Sequence, residues 1–263
     1  MTQTDPLFAA ARLMPARWIS GDADAREGGE WTPGLKGMGE IFASGKEASG
    51  AQVALALAAA SARTRPGAEE VSDERAFLWV QDKKAIRLGG RPCLAGMPEN
   101  LRHRIVHVAA DSPGDALFAL EEGVRCRDLA FVIGEIAGNP KVVDFTASRR
   151  LVLAAERHGV PLWLVRLDAA RDLGAARMRW DVKARTSRPP FWNDCAPGEP
   201  QWRGDLFRAR GVRPGTWDLR FTDKGDGHGS RIVASAAGGG CTSHPGDLVR
   251  APGNRPLAPA VGQ

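Results

Sequence analysis

Gly45, Lys46, Ser49 and Gly50 are the residue types of a phosphate-binding turn, set in the run MGEIFASGKEASGAQVALALAAA from Met38 to Ala60. A short apolar run, a glycine-rich turn and an alanine and leucine helix make the frame on which nucleotide loops are built. In the pattern GxxxxGK followed by Ser or Thr, the lysine reaches the β and γ phosphates and the hydroxyl holds Mg²⁺. Here Gly50 is followed by Ala51 and Gln52, so both side chains are missing. Lys46 lies inside the turn, not at the start of the helix, and cannot simply take the absent lysine's role. A phosphate held at this turn would rely on backbone N–H groups alone. The residues leave two readings open: a nucleotide loop degraded in sequence, or an ordinary strand, turn and helix.

A second candidate group is Ser148, Arg149 and Arg150, which open a helix near the edge where open α/β sheets hold ligands. They can meet an anion or a partner; the plainer reading is a solvated first turn with Ser148 packed inward. A third is the basic second half: between Arg149 and Arg220, fourteen arginines and Lys183 face eight acids, while the whole chain carries +5. Arg179, Arg185 and Arg188 are candidates there for contact with a nucleic-acid backbone or an acidic protein surface, with solvated arginine faces as the ordinary alternative. Trp180, Trp202 and Trp217 recur on alternating stretches, where they fill the face under a sheet in preference to stacking on bases. Trp192, between Pro190 and Pro197, is the exposed anchor candidate.

Metal and nucleophilic chemistry find less support. His103 and His107 fall in a predicted strand, which sets them about 13 Å apart, too far to share one metal. Asp226, His228, Cys241 and His244 include zinc donor types but lack an apolar scaffold to hold them. Neither a metal nor a cofactor is expected. The five histidines give no spacing that argues for a Ser-His-Asp or Cys-His arrangement.

The elements that must position these residues alternate. After the helix at Ala51 to Ala60, AFLWV (Ala76 to Val80) and RIVHVA (Arg104 to Ala109) read as buried strands, joined by a loop with Pro92 and Pro98. Ser112, Pro113 and Asp115 open a helix as N-cap, first residue and N3 acid. A strand at Leu129 to Ile133 follows, then a helix capped by Asp144 or Thr146 and stopped by Gly159, then the strand LWLVRL. Strands and helices in this alternation form a parallel sheet covered on both faces. Beyond Arg177, RMRWDVKA, QWRGDLFRAR and TWDLRF alternate apolar and polar residues between proline and glycine breaks, as antiparallel strands do. The expected organisation is an N-terminal segment at 1–36, one α/β domain at 37–222 and a disordered tail at 223–263, where glycine, proline and serine replace apolar periodicity. With no CxxC pair, and no apolar helix near the roughly twenty residues a bilayer needs, a soluble cytoplasmic protein without membrane contact is expected.

This layout, a phosphate-type turn after the first strand and antiparallel strands closing a mostly parallel sheet, resembles the three-layer RecA-like ATPase core. The run from Gly39 resembles its first strand and phosphate loop, AFLWVQ the strand bearing its catalytic glutamate, and LAFVIGEI its Walker B strand. VIGEI, FTASRRLVLAAERHGVPLWLVR, RMRWDVKARTSRP and PQWRGDLFRARGVRPGTWDL together resemble the ImuA family of bacterial mutagenesis cassettes, over about residues 7–222. Against the RecA pattern, Ala51 and Gln52 replace the Walker A lysine and hydroxyl, Gln81 stands where the catalytic carboxylate belongs, and Gly134 near the Walker B aspartate, with Glu135 one residue away. The losses remove phosphate neutralisation, Mg²⁺ ligation and activation of water. The resemblance therefore implies a non-catalytic accessory protein of SOS-induced translesion synthesis. Its implied partners are an ImuB-like Y-family polymerase subunit, an error-prone C-family DNA polymerase and RecA, with direct DNA contact as a further expectation. The alternatives are a DNA-dependent ATPase or recombinase using Glu135, and a cell-division inhibitor like SulA.

Overall fold

Runs of buried apolar residues set the architecture of the computed structural model, which describes residues 35–63, 73–187, 189–210, 212–222 and 231–236. β2 (Phe77–Asp82), β4 (Val132–Ala137) and β5 (Leu162–Leu167) are buried at every position, and β1 (Met38–Ala43) at all but its last. Burial on both faces is what continuous runs such as LWLVRL demand. With β3 (Ile105–Ala110) and β6 (Met178–Arg185) these strands pair in parallel, and β7 (Gln201–Ala209), β8 (Gly215–Thr222) and β9 (Arg231–Ala236) continue antiparallel. The nine strands form one sheet in the order β3-β2-β4-β5-β1-β6-β7-β8-β9.

Helices cover both faces of the parallel part. α1 (Ser49–Arg63) places Val53 and Leu57 against Ile41, Ile133 and Val165 on one side. On the other, α3 (Pro113–Arg125) and α4 (Phe145–His158) bring Leu120, Val124, Leu151 and Val152 onto Val80, Val132 and Leu164. β9 also touches α1, so the antiparallel extension curls towards that helix. Trp180, Trp202 and Trp217 are buried in the same core as Val53, under the sheet as their alternation predicts. The fold is α/β with a mostly parallel sheet and antiparallel strands at its C-terminal end, and it is consistent with a RecA-like core.

Helix ends follow the cap chemistry. Ser112 Oγ accepts from Asp115 N at 3.2 Å, Asp144 Oδ1 accepts from Ala147 N at 2.7 Å, and Gly159 closes α4 at φ 69°. Four features differ from the sequence reading. α2 (Lys83–Gly89) occupies part of what read as a loop, started by Asp82, whose Oδ1 accepts from Ala85 N at 2.6 Å. β4 begins at Val132 and not at Leu129, because a tight turn follows α3, with Leu129 N donating to Cys126 O at 3.1 Å. Gly134 and Glu135 thus lie mid-strand. His103 precedes β3 instead of sharing it with His107. β9 lies within the stretch expected to be a disordered tail; Ile232 and Ala234 alternate onto the tryptophan core, a pattern too short to stand out among neighbouring glycines. The expected N-terminal segment, apart from Leu35 and Lys36, and the rest of the tail, with Asp226, His228, Cys241 and His244, lie outside the described residues.

Among the described residues no helix is long and apolar enough to cross a membrane. Cys93, Cys126 and Cys195 are free thiols on the surface.

Candidate functional site

The turn between β1 and α1 is built around carboxylates. Gly45 N donates at 2.9 Å to Oδ1 of Asp168, the residue just after β5. Asp168 has φ 49°, in the left-handed region that aspartate tolerates better than most residues. Inside the turn, Glu47 Oε1 accepts from Ser49 Oγ at 2.9 Å, and its two oxygens accept from Ala184 N on β6 at 3.3 Å. A phosphate loop presents unopposed N–H groups to an anion. This one has the Asp168 carboxylate on its first glycine and another carboxylate, Glu47, in its own sequence.

Space is taken as well as charge. A Cβ on Gly45 would lie 2.7 Å from Asp168 Oδ2 and 3.0 Å from Leu88 Cδ1 of α2. One on Gly50 would lie 2.8 Å from both Ala43 Cβ and Val165 Cγ1, so this glycine lets α1 settle onto β1 and β5. Ser49 is buried, and Lys46 alone among the four candidates is exposed. Gly50→Val is therefore expected to cost about 1–3 kcal/mol by overpacking, whereas Lys46→Ala should stay within about 0.5 kcal/mol of the parent. Urea denaturation of the two variants checks the contrast; equal stabilities would show that Gly50 is not a packing residue.

The two candidate positions for an acid on β4 face opposite sides of the sheet. Gly134 lies under α3, where a Cβ would come within 2.8 Å of Leu120 Cδ1 and 3.0 Å of Leu164 Cδ1. Glu135 faces the α1 side and is buried, with Oε1 accepting from Trp79 Nε1 at 2.6 Å and from Gln81 Nε2 at 3.2 Å. Gln81 Oε1 in turn meets His107 Nε2 at 2.9 Å, which makes a polar chain across β4, β2 and β3. Burial pushes the Glu135 carboxyl up to about 7; the Trp79 and Gln81 donors oppose the rise and the nearby Asp82 carboxylate adds to it. His107 is held below the ordinary imidazole value, first by burial and then by the charge of Arg91.

The remaining candidates scatter. Ser148 is buried and its Oγ accepts from Ala175 N at 2.9 Å, so it pins the segment after β5 and not a ligand. Arg149 is exposed beside it, and Arg150 pairs with Glu121 of α3. Arg179 is a correction to its reading as a surface contact: it is only 4% exposed. Its Nε donates to Glu40 Oε2 at 2.6 Å, with Arg166 Nη1 4.0 Å from the other oxygen. Arg185 bonds Asp218 at 2.5 Å on the open face of the antiparallel strands. Arg171 there bridges Asp181 and Asp205 at 2.7 and 3.2 Å. Much of the basic charge is thus matched by acids, which the count along the chain cannot reveal. Trp192 is 68% exposed beside Phe191, which is 98% exposed, while Arg188 lies outside the described residues. Among the described residues no three metal-ligating side chains converge. The feature missed in the sequence is Asp168: an aspartate after a strand reads as a turn former, and only the parallel pairing of β5 with β1 brings it to Gly45.

No protein-family model matches the chain. Proteins described as Protein ImuA from two strains of Caulobacter vibrioides are each 33% identical to it over 145 residues, a stretch that covers 51% of this chain. The chain covers 57% of the length of each relative, less than two thirds. About half of the chain is thus similar in sequence to proteins described as ImuA.

Proposed function

We propose that this chain is a non-catalytic, RecA-like accessory protein of SOS-induced translesion synthesis and mutagenesis, acting by binding partners and not by turnover. One observation carries the non-catalytic part: at the turn that would hold a nucleotide's phosphates, the Asp168 carboxylate accepts from Gly45 N at 2.9 Å. A phosphate placed there meets like charge where a working loop offers a lysine. Glu47, Leu88 and the missing Walker A side chains act in the same direction. The fold needs no nucleotide, since its apolar cores on both faces of the sheet are filled by side chains.

Family resemblance supplies the partners: an ImuB-like Y-family polymerase subunit, an error-prone C-family DNA polymerase and RecA. The protruding Phe191 and Trp192, between β6 and β7, have the character of an interface anchor. Tagged protein recovered from DNA-damaged cells is expected to bring down the polymerase subunit and the C-family polymerase, and Trp192→Ala to weaken that recovery several-fold. Recovery of neither polymerase, or capture of the bacterial tubulin homologue in their place, would overturn the assignment.

A further inference from the structure

We infer that a basic groove across the C-terminal ends of β2, β3 and β4 binds the phosphodiester backbone of a nucleic acid. Two adjoining surface depressions of about 390 and 430 Å³ meet there, sharing Lys83, Arg87 and Asp111. Lys84 lines one and Arg91 the other. All four cations come from a nine-residue stretch, KKAIRLGGR, that folds as α2 and its exit. Lys83 and Arg87 are one helical turn apart and so share a face.

Charge in the groove is unbalanced, unlike that of the antiparallel face. Among the described residues only Lys83 of the four is ion-paired, to Asp111 at 2.8 Å, and both side chains are well exposed. The other acid in the lining, Asp82, is buried, its carboxylate accepting from Ala85 N and Ala137 N at 2.6 and 3.4 Å. Lys84, Arg87 and Arg91 are exposed. The same field reaches inward, where Arg91 adds to burial in holding the His107 imidazole below its ordinary value.

The geometry favours a chain of phosphates over a single one. Three strand ends at ~4.8 Å spacing span roughly 10 Å, the length of about three phosphates in a stacked strand. The lining offers guanidinium and ammonium donors but no aromatic ring for a base to stack on, so recognition would follow the backbone and ignore sequence. The location is the strand edge where α/β sheets hold ligands, and the site does not involve Asp168 or the closed turn. It therefore stands or falls separately from the proposed lack of turnover.

The test is fluorescence anisotropy of a labelled oligothymidylate with the full-length chain at low and moderate salt. Lys84→Glu with Arg87→Glu is expected to weaken binding at least tenfold and to flatten the salt dependence by about one unit per lost contact. Lys183→Glu with Arg157→Glu makes the same change in net charge on other surfaces and should alter affinity less than twofold. Far-ultraviolet circular dichroism and urea midpoints confirm that both variants fold. Equal weakening by the two pairs, undiminished binding by the groove variant, or no binding by the parent would overturn the inference. Competition by polyglutamate as strong as by unlabelled oligonucleotide would overturn it in favour of an acidic polypeptide, and competition by ATP alone in favour of a mononucleotide.

Discussion

Glu40→Ala is expected to destabilise the protein by about 3–5 kcal/mol, a large share of what holds a typical domain folded. Glu40 on β1 is buried between two buried guanidiniums: Arg179 at 2.6 Å and Arg166 at 4.0 Å. Its removal leaves Asp172, 3.8 Å from each arginine and partly exposed, as their carboxylate partner. Arg166 Nε and Arg179 Nη2 already lack hydrogen-bond partners among the protein atoms. Stacking near aromatic rings compensates in part, since the Arg179 guanidinium lies 5.1 and 5.2 Å from the centroids of Phe42 and Phe207. An exposed pair supplies the contrast. Arg125 bonds Glu121 and Glu122 at 2.7 and 2.5 Å, but at the surface of α3, and Arg125→Ala should cost no more than about 1 kcal/mol. Denaturant midpoints of the two variants decide it; a loss at Glu40 as small as that at Arg125 would mean that the buried ions carry no net stability.

The second large effect is a pH dependence that Glu135→Gln should remove. The Glu135 carboxyl titrates at about 7 in the fold against 4.5 unfolded, mainly because burial disfavours its charge. Below pH 4.5 both states hold the proton, and the fold has the full benefit of the neutral group. As pH rises the unfolded chain releases the proton first, so stability falls from about pH 4.5 and levels off above about 7. The total is about 3 kcal/mol. Glutamine keeps an oxygen for Trp79 and has nothing to titrate. The stability difference between parent and variant, measured by urea denaturation from pH 4 to 8, should therefore shift in favour of the variant as pH rises. A difference that stays flat across this range would show that Glu135 keeps its ordinary acidity in the fold.

How much of this was legible in the sequence depended on the range of the interaction. Ser112, Asp144 and Gly159 mark helix ends through contacts within four residues, and their local chemistry could be read directly. Strand LWLVRL reads whole because burial on both faces leaves a run that is apolar at every position but Arg166. Asp82 does not stand out as a cap, because it closes a strand and opens a seven-residue helix at once. The site was less legible. Asp168 is 123 positions from Gly45 and Glu40 is 139 from Arg179, so only strand order makes them partners. Counting arginines suggested a basic surface, but pairing decides the field: Arg171, Arg179 and Arg185 are matched by acids, whereas Lys84, Arg87 and Arg91, in a stretch read as a loop, line the groove.

Steady-state ATP hydrolysis by the purified full-length chain with Mg²⁺ and single-stranded DNA tests most directly whether the protein works by binding alone. Phosphate release no faster than the background without protein is expected, with no change on Glu135→Gln. DNA-stimulated turnover that Glu135→Gln abolishes would contradict it, and would make Glu135 a working carboxylate in an active, divergent ATPase.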